Sequence, residues 1–83
     1  MKILYFAWLR ERIGHAEATI DPPAGVTTIA ELTEYLASLS PAHQRAFANR
    51  SAIKTALDQV FAPPETPLGD AQELAYFPPF TGG

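Results

Sequence analysis

Two stretches near opposite ends of the chain carry apolar residues on both parities: "KILYFAWL" (residues 2–9) and "ELAYF" (Glu73 to Phe77). A strand with one wet face alternates apolar and polar side chains, so a run apolar on both parities predicts a strand covered on both sides. Each therefore belongs at the centre of a sheet. The two are most easily parallel neighbours, joined through a crossover whose right-handed sense is nearly obligatory. A chain of 83 residues buries only about 60–65% of the surface its unfolded form exposes. That leaves room for one thin layer of helix over such a sheet.

The segments in between fit that frame. "EATI" (Glu17 to Ile20) alternates and halts at Asp21-Pro22-Pro23, where proline removes donors, which predicts a short edge strand hairpinned onto the first. In "TTIAELTEYLASLS", Thr28 and Glu31 have the spacing of a capping box, and Ile29, Leu32, Leu36 and Leu39 form one helical stripe. Ser40-Pro41 then offers an N-cap and a first-turn proline for a second, short helix reaching about Asn49. A strand follows from Ala52 to Leu57, a tight turn at Asp58-Gln59, and a short strand at Val60-Phe61. "APPETPLGDAQ" reads as a proline-rich loop anchored by Leu68, and Arg10 to Gly14 as a charged turn after the first strand. The order predicts an α+β protein: a mixed sheet of four to five strands, one main helix on one face and a short second helix. This is the β-grasp, or ubiquitin-like, arrangement. Residues 1–77 form the domain and residues 78–83 an extended tail.

Charge and composition exclude several functions. Six basic and nine acidic residues give a net charge of -3 and a pI near 5.1, without the clustered Lys and Arg that phosphate binding demands. No nucleic-acid partner is expected. The apolar run behind Lys2 is too short for a signal peptide, and no stretch approaches the roughly 20 apolar residues of a membrane span. No membrane partner and a cytoplasmic location are therefore expected. There is no cysteine. His15 and His43 read as isolated surface residues with no ligand cluster around either, so no metal site is expected.

The chemistry concentrates at "AYFPPFTGG". The strand pattern runs to Phe77, after which Pro78-Pro79 stops the ladder and favours an extended, polyproline-like backbone. From Pro78 to Gly83 such a tail reaches about 20 Å. Glycine has no Cβ, so Gly82 and Gly83 can pass through a slot too narrow for other residues, and the group they deliver is a carboxylate. The plain alternative is a frayed end without function. A carboxylate is ionised near neutrality and is a poor electrophile. Adenylation by ATP would give it a good leaving group, and a sulfur, amine or thiol nucleophile could then take the acyl carbon.

"FAWLRERIG" near the start and "AYFPPFTGG" resemble the MoaD-type sulfur carriers, the small subunits of molybdopterin synthase, with a likeness that spans essentially the whole chain. The resemblance implies that Gly83 is adenylated by an E1-like (MoeB-type) adenylyltransferase that uses ATP. A sulfur donor system then converts it to a thiocarboxylate. It further implies that Phe80, Thr81 and Gly82 enter the large (MoaE-type) subunit of a heterotetrameric synthase, where the sulfur passes to cyclic pyranopterin monophosphate. The chain itself is expected to bind no cofactor.

Parity places Phe6, Phe61 and Phe77 on the sheet face away from the helix, and exposed aromatic patches mark partner surfaces. With Pro78 and Pro79 they are the expected partner-binding residues. The competing possibility is that these rings pack under the loop at Ala62 to Thr66. Arg10, Glu11 and Arg12 read as a solvated charge cluster. No nucleophile-elbow or triad pattern occurs, so no catalytic machinery belongs to the isolated chain. Three other functions share parts of this reading: a sulfur carrier of thiamine or cysteine type, a ubiquitin-like modifier, and an inert β-grasp interaction module.

Overall fold

The structure is a computed structural model and describes residues 1–79. Five strands, β1 (Lys2–Tyr5), β2 (Glu17–Thr19), β3 (Lys54–Leu57), β4 (Val60–Phe61) and β5 (Glu73–Phe77), form one sheet. Its order is β2-β1-β5-β3-β4. The two strands with two-sided apolar sequences are central and parallel neighbours, with Ile3 opposite Leu74 and Tyr5 opposite Tyr76. β2 and β3 flank them antiparallel. This is the β-grasp arrangement expected from the sequence.

Three helices, α1 (Trp8–Ile13), α2 (Ile29–Ala37) and α3 (Pro41–Ala46), accompany the sheet, and a single 3₁₀ turn (Arg50–Ala52) precedes β3. At the start of α2 both halves of the capping box are made. The Glu31 N–H donates to Thr28 Oγ1, while Glu31 Oε1 accepts from the Thr27 and Thr28 N–H groups. Those bonds hold the Glu31 carboxyl below its usual pKa, the Thr27 N–H being the largest cause. Ile29, Leu32 and Leu36 are fully buried, each worth about 1.5–3 kcal/mol of transfer free energy. Leu39 is the exception to the expected stripe. The helix ends at Ala37, and Leu39 lies beyond it with 43% of its surface exposed. α3 begins as its sequence implies, with Ser40 Oγ accepting from the His43 N–H and Pro41 in the first turn.

The first strand is shorter than its apolar run. It ends at Tyr5, and what was read as strand and then charged turn is helix from Trp8 to Ile13. The switch occurs at Ala7, whose φ of +56° lies in the region that favours glycine. Leu9 and Ile13 are buried one helical turn apart, the Arg12 guanidinium stacks 4.5 Å over the Trp8 ring, and Gly14 closes the helix in the left-handed conformation. Periodicity of 3.6 was present in this stretch, hidden within the apolar run.

The core gathers Ile3, Tyr5, Leu74 and Tyr76 from the sheet with Leu9, Ile13, Leu32, Leu36 and Phe47 from the helices and their ends, and Leu68 as the loop anchor. Its polar members are handled unequally. Thr33 Oγ1 donates to the Ile29 carbonyl and lies 2.8 Å from Tyr76 Oη, so the tyrosine gives its proton to the threonine. Tyr5 Oη has no partner. Burial pushes the Tyr5 phenol up to about 12, and burial likewise raises Tyr76.

Raised phenol pKa values have a definite consequence for stability. Above about pH 10 the unfolded chain releases phenolic protons that the native chain keeps. Stability is therefore complete below that pH and falls as pH rises through the folded-state values. Alkaline unfolding followed by circular dichroism should coincide with the appearance of tyrosinate absorbance. In Tyr5→Phe the loss above about pH 10 should be shallower, because one of the two raised phenols is gone while Tyr76 keeps the same onset. Its neutral-pH stability should be unchanged or raised by about 1 kcal/mol, because an unpartnered buried hydroxyl is removed. In a Tyr35→Phe background, which leaves only the two buried phenols, tyrosinate forming well before unfolding would contradict this.

Candidate functional site

Strand alternation sends Ile3, Tyr5, Leu74 and Tyr76 towards the helices, so Leu4, Ala75 and Phe77 face the opposite side. The register extends that second face sideways. Leu4 lies opposite Ala75, Ala75 opposite Ala56, and Ala56 opposite Phe61. Phe6 joins them because its N–H donates to the Tyr76 carbonyl at 3.1 Å, carrying the parallel pairing one residue past β1. No helix covers this face.

Aromatic rings wall a shallow floor there. Phe61 and Phe77 meet with centroids 5.6 Å apart and planes inclined 60°, an aromatic pair reaching across the small Ala56. Phe61 is 76% exposed and Phe6 48%. Leu4, Phe6, Ala56, Ala75, Phe77 and the Pro78–Pro79 pair line an apolar depression of about 640 Å³. Large apolar side chains left this open form an exposed apolar patch of the kind that marks interaction surfaces. Charges stand around it: the Lys2 ammonium lies 3.6 Å from the Glu17 carboxylate on the β2 side, Glu73 reaches the depression, and Lys54 lies opposite Phe77 on β3.

β4 reaches this face through a hairpin whose two turn residues, Asp58 and Gln59, have φ of +48° and +70°. Two successive positive values define the turn that matches the twist of paired strands. The Asp58 carboxylate accepts from the N–H groups of Gln72 and Glu73, tying the hairpin tip to the start of β5. Nothing in the local sequence pattern signals that tie.

The structure thus gathers Phe6, Phe61 and Phe77 on one face, as their parity implied, and brings Pro78 and Pro79 beside them. The rings are not packed under the Ala62 to Thr66 loop. Phe80, Thr81, Gly82 and Gly83, assigned above to insertion and chemistry, lie outside the described residues. Arg10, Glu11 and Arg12 are exposed, on α1 rather than in a turn. Among the described residues no helix is long and apolar enough to cross a membrane, and no three His, Cys, Asp or Glu gather as metal ligands. The reading of His15 and His43 as isolated is corrected. Their ring centroids lie 6.3 Å apart because the end of α1 and the start of α3 meet over Tyr5.

A mixed sheet of this order, helices on one side and an open aromatic face leading to Pro78-Pro79, defines a ubiquitin-like β-grasp protein. Comparison with known proteins agrees. SAMP1 from Haloferax volcanii superposes with a TM-score of 0.72 at 26% sequence identity, over 100% of this chain and 98% of that one. The ThiS family model matches residues 3–83. The molybdopterin synthase sulfur carrier subunit of Escherichia coli (strain K12) is 34% identical over 83 residues, covering 100% of this chain and 99% of the relative. The chain belongs to the ThiS family, the ubiquitin-like sulfur carriers of ThiS/MoaD type.

Proposed function

We propose that the chain is the sulfur-carrier small subunit of a molybdopterin synthase and that its reacting group is the Gly83 carboxylate. Full-length similarity to a relative bearing that name carries the reading. The exposed aromatic face supports it, because such a carrier must dock while its tail is presented. An E1-like adenylyltransferase joins the carboxylate oxygen to the α-phosphate of ATP and releases pyrophosphate. Hydrosulfide delivered by the sulfur donor then attacks the acyl carbon, the C–O bond to AMP breaks, AMP departs, and a terminal thiocarboxylate results. Residues 78–83 form the arm, and Phe80, Thr81 and Gly82 thread it into the larger subunit. There the thiocarboxylate passes its sulfur to cyclic pyranopterin monophosphate. The chain contributes position and the sulfur-bearing acyl group; the pocket and the acid–base groups belong to the partner.

Intact-mass measurement tests this directly. Incubation with ATP, a sulfur donor and the cognate activating enzyme should add the mass difference between one sulfur and one oxygen, located at Gly83 by fragmentation. An unchanged mass under conditions that thiolate an established carrier would leave an inert interaction module. A mass shift without pterin sulfuration by the reconstituted synthase would assign the carrier to another acceptor.

A further inference from the structure

On the helix side of the sheet, opposite the docking face, the fold builds a second cluster of ionisable rings. His15 follows Gly14, the left-handed residue that ends α1, and precedes β2; His43 sits on α3. Their planes are inclined 59° at the 6.3 Å centroid separation. Both meet the Tyr5 ring roughly at right angles, at 5.9 and 6.4 Å. Tyr5 is 1% exposed and stacks on Tyr76, so it is a fixed floor for the pair. The Tyr5 Oη is buried and has no hydrogen-bond partner among the described residues. His43 is held from behind, with Ser40 Oγ 2.7 Å from its Nδ1, which leaves Nε2 as its unengaged nitrogen. His15 is exposed and free to turn.

These dimensions suit a shared ion. With N–metal distances of about 2.0–2.1 Å and each nitrogen about 1.1 Å from its ring centre, two imidazoles on one metal have centroids about 4.5 Å apart when the nitrogens bind at a right angle and about 6.4 Å when they bind opposite one another. The observed 6.3 Å is close to the opposed limit, and rotation of His15 narrows it. A neighbour bonded to the second imidazole nitrogen is the usual device for orienting a metal-binding histidine. Burial, with a smaller contribution from His15, holds the His43 pKa below the ordinary histidine value, so its ring is neutral and its lone pair available near neutrality.

We propose that His15 and His43 form a two-imidazole site for a borderline divalent transition-metal ion, with water completing the coordination. Imidazole donors suit copper, nickel and zinc, and the affinity order places Cu(II) first. Calcium and magnesium need oxygen ligands that this pair does not supply. A bound ion links α3 to the connection between α1 and β2. Such a link is the kind of staple a small domain without cysteine otherwise lacks. Tyr5 and Phe6 point to opposite sides of the sheet, so loading leaves the docking face open.

The test uses the full chain with any affinity tag removed, titrated with Cu(II) chloride and followed by electron paramagnetic resonance and thermal melting. Expected are one copper per chain, hyperfine structure from two imidazole nitrogens, and a melting temperature that rises with free copper as mass action requires. The N-terminal amine, which donates to the Ile20 carbonyl, is separated from the site by the same spectrum. His15→Ala should fold normally, being exposed, yet bind copper at least about tenfold more weakly, since the remaining ring binds without its partner. His43→Gln should weaken binding similarly, its own melt recorded first without metal. Copper bound as tightly to His15→Ala as to the parent, a spectrum with fewer than two imidazoles, or a melt indifferent to copper would overturn the proposal.

Discussion

Deleting Gly83 should abolish sulfur loading while changing folding stability by less than about 0.5 kcal/mol. Among the described residues every buried one lies between Ile3 and Tyr76, and β5 closes at Phe77. The deletion leaves all of these in place. Activation, in contrast, depends on where one carboxyl carbon sits. Shortening the arm by one residue withdraws that carbon by about 3.3–3.6 Å, and misplacement of a reacting atom by even about 1 Å can cost about 100-fold in rate. A mass assay after incubation with the activating system, beside a melt of the same preparation, reads both quantities. Loading that persists in the shortened chain would refute Gly83 as the acceptor. A large fall in melting temperature would make the last residue structural instead.

Phe61→Asp should weaken binding to the larger synthase subunit by at least about 30-fold, near 2 kcal/mol, the range found for central aromatic anchors. Its ring is 76% exposed in the isolated chain, so the substitution forfeits little internal packing, and the melt should move little. A charge placed on that face would have to be desolvated against an apolar partner, which is costly without a counter-ion. Val60 provides the internal control. It adjoins Phe61 on the same two-residue strand, is 68% exposed, and points to the other side of the sheet. Val60→Asp should therefore bind as the parent does, by isothermal titration under the same salt. Equal losses in both variants would point to the strand edge, not the aromatic face, as the contact. No loss in Phe61→Asp would remove this face from the interface.

Where local pattern and global fold agree, the sequence is read easily. Thr28 and Glu31 announce the start of α2 because each side chain accepts from the free N–H of the other residue. Ser40-Pro41 announces α3 in the same way. The two-sided apolar strands reveal their central places because burial on both faces leaves no polar parity. α1 was obscured for a physical reason. Trp8 and Leu9 continue an apolar run that strand and helix both tolerate, and the deciding change of φ at Ala7 has no glycine to advertise it. The signals that remained were Leu9 and Ile13 four apart with Gly14 just after them. The aromatic face followed from parity alone, whereas the Asp58 tie to β5 and the meeting of His15 with His43 arise from tertiary approach, which no local spacing encodes. The proposed acyl chemistry shows the reverse: it rests only on the residues after Pro79.

Ala56 and Ala75 stand side by side in adjacent strands at the middle of the open face, with phenylalanines on either flank. The smallest side chains thus occupy the place where a flat interface would put its bulk, and the surface is a socket. On the docking proposed above, its counterpart would be a protrusion, one or two branched or aromatic side chains on a convex ridge. Selectivity among related subunits would then reside in the volume left vacant above two methyl groups, so that leucine at either position would plug the seat and turn the right partner away.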